Sequence, residues 1–495
     1  MEMPKPDLEV ISRRQQIIQA MSSIVSDEGL IVDAEEMRAY DHDGLMAYKA
    51  QPLIVVLPET TEEISLILKY CHDNNIKIVP RGAGTGLSGG ALPLADAITL
   101  GLGKFKEILE IDFDNRTVVA QPGVTNLAVT QAVEHKDFYY APDPSSQIAC
   151  SIGGNIAENS GGVHSLKYGL TTNNVLGIEM VLMSGEVVRI GGKHLDSGGY
   201  DLLGVATGSE GLLGIITEVT LRILRKPETA RAVLLGFPSN ESGGECVAAI
   251  IGAGIIPSGM EMMDKLAIHA TEDFTHAGYP LDVEALLIVE LDGPSVEVDQ
   301  LIDSINTIAK KAGAVYVRIS ESEEERLTFW SGRKNAFPAL GRTSPDYLCM
   351  DGTIPRSRLA EVLKHIGNLS KKYNLRVANV FHAGDGNLHP LICFDANQPG
   401  ELKRAEDFGA DILKYCVEVG GVLTGEHGVG IEKRDLMGEM FTENDLKQQQ
   451  RLKCAFDPDQ LLNPGKVYPK LHRCAELGRM FVHEGKLPFP NLPRL

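Results

Sequence analysis

The sequence contains no C-x-x-C pair. Its eight cysteines stand at 71, 150, 246, 349, 393, 416, 454 and 474, the closest two 20 residues apart. That spacing excludes a zinc ribbon and a ferredoxin-type cluster run. In a chain of 495 residues it also argues against a disulfide framework, so reduced, mostly buried thiols are expected. A basic surface is missing too. The formal charge is -20 and the pI about 5.1, which repels phosphate backbones and makes nucleic acid a poor partner. No apolar run is long enough to span a bilayer: the most apolar stretch, 246–260, is broken by glycines and Pro257. Residues 1–10 are acidic and proline-bearing, so no secretory signal and a cytoplasmic location are expected. There are no internal repeats, and the one tryptophan, Trp330, is expected in the core.

What the sequence has is glycine. The 51 glycines are about a tenth of the chain, against ~7% in average usage, and they cluster. The overall balance, 43% hydrophobic and 23% charged, is that of a globular protein long enough for two or three domains. Helical pieces are expected at 13–25 and 35–40. A strand at 53–57 precedes a helix at 62–74 with Ile64, Ile67, Leu68 and Cys71 on one face, then a strand at 76–79. From Pro80 to Lys226 the chain reads as short strands and turns. Beyond Pro227 the order is strand 233–237, helix 245–251, strand 285–291, helix 296–312 and strand 315–319. This predicts an α+β unit with a mainly antiparallel sheet, resembling a ferredoxin-like fold. Strands at 377–381 and 390–394 around a polar turn and a helix at 401–419 follow.

The first glycine segment is Arg81-Gly82-Ala83-Gly84-Thr85-Gly86-Leu87-Ser88-Gly89-Gly90. It contains G-x-G-x-x-G, but a dinucleotide-binding βαβ unit would need a helix next, and 97–102 reads as another strand. Either a tight turn or an anion nest of backbone N–H groups, with Arg81 adding charge, fits the residues. Further segments follow: Pro142-Asp143-Pro144-Ser145-Ser146, Gly153-Gly154-Asn155, Asn159-Ser160-Gly161-Gly162 and Gly208-Ser209-Glu210-Gly211 through Ile216. In this order and spacing they resemble the FAD-binding domain of the vanillyl-alcohol-oxidase (PCMH-type) flavoprotein family. Trp330-x-x-Arg333-Lys334-Asn335, His382-Ala383-Gly384-Asp385-Gly386-Asn387-Leu388-His389, Gly425-Glu426-His427-Gly428 and Leu462-Asn463-Pro464-Gly465-Lys466 extend the likeness to the FAD-linked subunits of bacterial glycolate oxidases, over nearly all 495 residues.

The resemblance implies FAD with its pyrophosphate in the loop from Arg81 to Ser88. Pro142, Ser145, Ser146, Gly153, Gly154, Asn159, Gly161, Gly162 and Asn463 would line the rest, with Glu210 and Ile216 near the adenosine end. Some relatives tie the flavin to a histidine near the first loop; the comparable position here is Thr85, so a non-covalent cofactor is expected.

His382 and His389 are seven apart, and on one continuous strand they would face opposite ways. Gly384-Asp385-Gly386 is turn chemistry, however, and a hairpin would bring both imidazoles to one side. With Glu426 they make a His/His/carboxylate set suited to Zn²⁺, Mn²⁺ or Fe²⁺. The other reading is that the histidines hydrogen-bond flavin or backbone; the resemblance favours metal ligands. Oxidising a 2-hydroxy acid requires removing the hydroxyl proton as hydride leaves Cα. His427 is the candidate base. Arg333 can clamp a carboxylate, unless it is a surface ion pair. Asn387 can hold the hydroxyl or a ligand, or simply shape the turn. Lys334 and Arg342 are weaker candidates for the carboxylate contact, such residues being more often solvated charges.

The domains expected are a helical lead-in at 1–52, a two-lobed PCMH-type FAD-binding domain at 53–227 and an α+β substrate (cap) domain at 228–425. A C-terminal FAD-contacting segment at 426–470 and a peripheral tail at 471–495 complete the chain. The resemblance implies oxidation of glycolate to glyoxylate, and of D-lactate to pyruvate. Electrons would pass through an iron–sulfur subunit, beside a second flavin-domain-like subunit, to quinone, with the chain held at the inner membrane face by its partners. A stand-alone D-lactate or D-2-hydroxyglutarate dehydrogenase is the alternative.

Overall fold

The computed structural model describes residues 3–194 and 198–469; the tail expected at 471–495 lies outside them. Three sheets carry the architecture. The first is built from β1 (Leu30–Ile31), β2 (Ile54–Val56), β3 (Lys77–Arg81) and β4 (Ala97–Gly101), in the order β1-β2-β4-β3. β2 and β3 both pair parallel to β4, and β2 and β4 are buried along their whole length, as parallel strands covered on both faces must be. Helix α1 (Thr61–Asp73) connects β2 to β3. Thr60 and Glu63 form a capping box at its start, and Ile64, Ile67, Leu68 and Cys71 bury one stripe against the sheet.

The second sheet is antiparallel, with β5 (Ile108–Asp112), β6 (Thr117–Ala120), β7 (Val175–Val181), β8 (Val187–Gly191) and β9 (Ile215–Arg222) in the order β5-β6-β9-β7-β8. Between β6 and β7 lies α2 (Ile152–Glu158), capped by Ser151. A glycine segment expected as turns therefore holds a short helix: Ser151 accepts from the Gly154 amide, and Ile152 and Ile156 have a core to enter.

The third sheet begins after Pro227. It joins β10 (Thr229–Phe237), β11 (Gly259–Asp264), β12 (Ala285–Gly293), β13 (Tyr316–Ile319), β14 (Asp346–Cys349), β15 (Val377–Phe381) and β16 (Pro390–Phe394). All pairs are antiparallel, in the order β13-β10-β12-β11-β15-β16-β14. The first four strands, with α3 (Asn240–Gly252) and α4 (Ser295–Lys311) as crossovers, have the ferredoxin-like order. β11 and the helix after it, Lys265–Thr275, were not expected. β11 reads GMEMMD, with no β-branched residue and all six positions buried, so the alternation that marks a strand is erased. α5 (Glu323–Lys334) packs nearby and buries Phe329 and Trp330. The α+β class is thus observed, in a fold of two smaller sheets, here called flavin-side because the resemblance sets the flavin there, and one large sheet, called the cap after the same expectation. Six cysteines, Cys71, Cys150, Cys246, Cys349, Cys393 and Cys416, are buried free thiols.

After helix α6 (Glu443–Phe456) the chain returns to the first sheet. The Ile78 amide donates to the Leu461 carbonyl at 2.8 Å, and the Asn463 amide to the Ile78 carbonyl at 2.7 Å. A second tie joins the flavin-side loops to the cap. His164 sets Nδ1 2.9 Å from Asp143 and Nε2 3.1 Å from Glu290 on β12, and Glu290 also accepts from Arg326 and Trp330 on α5. Burial disfavours the imidazolium, but Asp143 and Glu290 outweigh it and hold His164 up at about 10. The charged form is favoured in the folded chain, so this contribution is complete below the ordinary histidine value of 6.5 and is lost as pH rises through about 10. Denaturant midpoints measured across that window should fall with pH, and His164→Gln should flatten the decline. An equally steep decline in the variant would show that the tie does not contribute.

Candidate active site

A cavity of about 520 Å³ runs between the flavin-side sheets and the cap. Arg81, Gly82, Ala83, Gly84, Thr85, Gly86 and Leu87 line it at the end of β3, together with Ser145, Ser146, Gly153, Gly154, Glu210, Ile216 and Asn463. Of the residues expected around the cofactor, Ser88, Pro142, Asn159, Gly161 and Gly162 do not line it. Ser88 instead donates to the His427 carbonyl at 2.9 Å, and the Pro142 carbonyl accepts from Asn126. Arg81 braces its own loop, donating to the His42 carbonyl at 2.7 Å. A Cβ at Gly84, where φ is +73, would stand 2.2 Å from that guanidinium, so the position requires glycine. Glu210 lines the cavity, yet its two carboxylate oxygens accept from the Val429 and Gly430 amides, each at 2.7 Å. Asn463 ties the loops together through the Gly90 and Glu210 carbonyls.

At the cap end the same cavity is lined by Lys334, Phe337, His382, His389, Glu426 and His427. The turn between β15 and β16 places the two histidines on one side, with ring centroids 5.0 Å apart. His382 Nε2 lies 3.2 Å and His389 Nε2 3.4 Å from Glu426 Oε1. His427 stacks on His389 at 4.8 Å, its Nε2 4.0 Å from the same oxygen. The flavin side contributes the Gly161 amide, which donates to Glu426 Oε2 at 3.0 Å. A Cβ at Gly161 would stand 2.6 Å from that oxygen.

Two acids that no sequence motif marked organise this set. Glu261, buried on β11, accepts from His382 Nδ1 at 2.7 Å and from Arg333 Nε at 2.7 Å. Arg333 is itself buried, so it is no surface ion pair, and its Nη2 has no partner. Asp351, just beyond β14, accepts from the amides of Gly425, Glu426 and His427, from Thr424 Oγ1 and from Asn387 Nδ2. Asn387 Oδ1 is left free of partners. An acid inside an apolar stretch was the one signal available for Glu261.

The electrostatics follow from these contacts. Burial pushes Glu426 up, but His382, His389 and His427 overcome it and bring it down to about 2. Burial disfavours the His382 imidazolium, yet Glu261 and Glu426 raise it well above the ordinary range. Burial takes His427 down to about 4, aided by His389 and opposed by Asp351, so it is neutral at pH 7. For Asp351, burial is outweighed by His427 and Lys433, which keep it well below the usual carboxylate range.

His382, His389 and Glu426 offer ligand atoms within 4.8 Å of one another. A tetrahedral ion with bonds of about 2.1 Å places its ligands about 3.4 Å apart, which the contacts to Glu426 Oε1 match. His389 Nε2 is also buried without a hydrogen bond. The overlapping set Asp351, His389 and His427 is the poorer cradle, because amides and hydroxyls already occupy the Asp351 oxygens.

The FAD binding domain family matches residues 52–191, and the C-terminal domain family of FAD linked oxidases matches 226–467. The glycolate oxidase subunit GlcD of Escherichia coli (strain K12) is 56% identical, over 97% of this chain and 96% of its own length. A D-lactate dehydrogenase of Anaerostipes hadrus is 32% identical over 90% of this chain and 96% of its own. A solved p-cresol methylhydroxylase with bound substrate superposes with a TM-score of 0.77, covering 92% of this chain and 97% of its own. At 19% identity that likeness shows the fold alone.

Truncating Asp351 would take one of two counter-charges from the fully buried Lys433, 3.6 Å away, and leave the inward-pointing amides of Gly425, Glu426 and His427 without their acceptor. Asp351→Ala should cost about 3–5 kcal/mol of stability by chemical denaturation, as expected for one partner lost from a buried charged set. A change below 1 kcal/mol would contradict the role given to that carboxylate.

Proposed function

This chain belongs to the family of FAD-linked oxidases, and on that premise we propose that its FAD-dependent oxidation of hydroxy acids acts on small 2-hydroxy acids, glycolate to glyoxylate and D-lactate to pyruvate. The observation that carries the substrate class is the meeting, in one cavity, of a half-buried neutral histidine and a His/His/Glu set, with the buried Arg333 guanidinium and its free donor held beside His382 by Glu261.

FAD bound in the cavity supplies the hydride acceptor. A divalent ion, zinc, manganese or iron, held by His382, His389 and Glu426, would lower the pKa of the substrate hydroxyl. Arg333 Nη2 donates to the substrate carboxylate, and Glu261 fixes the guanidinium for that contact. Asn387 holds the turn that carries His382 and His389, its amide nitrogen anchored on Asp351. His427 Nε2 takes the hydroxyl proton. Asp351 orients that histidine through its backbone amide.

Among the described residues no helix is long and apolar enough to cross a membrane, and the free cysteines are dispersed. In this reading the electrons leave through a partner. The reading assigns an iron–sulfur subunit, beside a second flavin-domain-like subunit, in a cytoplasmic complex that reaches quinone at the inner membrane face. It is supported by the likeness to a glycolate oxidase subunit. Full quinone-linked turnover by this chain alone would favour a stand-alone D-lactate or D-2-hydroxyglutarate dehydrogenase instead.

Thr85 stands where a tethering histidine would be, so acid precipitation should release all the flavin into the supernatant. Colour retained in the pellet would contradict this. His389→Ala should lose the metal and nearly all turnover while keeping flavin. His427→Ala should keep both and slow flavin reduction by about 10²–10⁴, the range for a lost general base. Rapid-mixing spectroscopy with metal analysis distinguishes the two, and wild-type activity in His389→Ala would exclude the metal role.

A further inference from the structure

Six side chains that carry a formal charge line the cavity: Asp43, Arg81, Glu158, Glu210, Lys334 and Glu426. Of these, Lys334 alone is exposed. It ends α5, next to Arg333, and its ammonium has no ion-pair partner among the described residues. The other cations nearby are committed. Arg81 is bound to backbone carbonyls, Arg333 to Glu261, and Lys433 to Glu432 and the Gly428 carbonyl.

An anionic substrate approaches a chain of charge -20 and a cavity whose lining holds Asp43, Glu210 and Glu426. Like charge slows such an encounter, and a cation set among low-dielectric walls reverses the effect locally. Phe337, Pro338 and Ile148 supply apolar lining to the same cavity. Arg333 cannot meet the substrate first, because it is buried.

We propose that Lys334 is the capture residue for the substrate anion: its ammonium draws the carboxylate of the incoming hydroxy acid to the mouth of the cavity, where Arg333 receives it. A lysine suits this task. It is a compact charge on a flexible stem, able to follow a mobile anion, whereas the Arg333 guanidinium is fixed by Glu261. Lys334 thus sets the second-order rate of flavin reduction and leaves hydride transfer untouched. The proposal rests on the hydroxy-acid reading given above.

The test is anaerobic reduction of the flavin by glycolate in the full-length holoprotein, at low and high ionic strength. In the wild type the second-order rate should fall as salt rises. Lys334→Gln should lower it about tenfold at low ionic strength and remove most of its salt dependence. Lys334→Glu should lower it further and reverse the sign of that dependence, and Lys334→Arg should restore it. The limiting rate at saturating glycolate should be the same in all four proteins. Oxalate, an anion that cannot give up hydride, should bind the oxidised protein more weakly in the order Lys, Gln, Glu. Wild-type second-order rates in the Gln and Glu variants, or a reduced limiting rate with the second-order rate intact, would overturn the proposal. If no hydroxy acid reduces the wild-type flavin, the functional reading fails, and the oxalate series still decides the role of Lys334.

Discussion

Asp351 is fully buried, and a carboxylate in that position must be surrounded by donors. The chain meets this need by wrapping the turn from Thr424 to His427 around it, so that one hydroxyl and three backbone amides point inward. Glu426 and His427 are thereby turned toward the cavity. On the other side of the same carboxylate the Asn387 amide fixes the turn between His382 and His389. Two segments distant in sequence meet because both satisfy one anion.

Glu261 does the corresponding work on the neighbouring part of the cap sheet. It orients His382 through Nδ1, leaving Nε2 for Glu426, as the outer partner of a metal-binding histidine does. Its other oxygen holds Arg333. The guanidinium and His382 are therefore positioned by a single side chain. The flavin-side sheets touch this assembly through the Gly161 amide and the Ser88 hydroxyl. The cap is aligned to them by the His164 tie.

Much of this was legible in the sequence, and what was not shares one cause. The glycine loops, the ferredoxin-like order and the pairing of His382 with His389 all depend on local signals: turn residues, helical period and strand length. Arg333 was legible as a type of residue, but its burial was not. Glu261 and Asp351 escaped because no periodicity separates either acid from its neighbours: Glu261 lies on a strand buried along its whole length, and Asp351 just past the end of the short edge strand β14. Glu210, which the resemblance set near the adenosine end, lines the cavity; that its carboxylate also holds the amides of Val429 and Gly430, across more than two hundred residues, is something no local pattern encodes.

The interactions around Asp351 and Glu261 have one purpose in this reading: to hold a 2-hydroxy acid so that the hydrogen on its C2 faces the flavin. The direct measurement is the anaerobic bleaching of the oxidised flavin band on mixing with glycolate, compared with glycolate deuterated at C2. The band should bleach without any partner protein present, and deuterium should slow it. A flavin that stays oxidised with both glycolate and D-lactate, or that bleaches at the same rate with either isotope under chemistry-limited conditions, would contradict hydride transfer at this site.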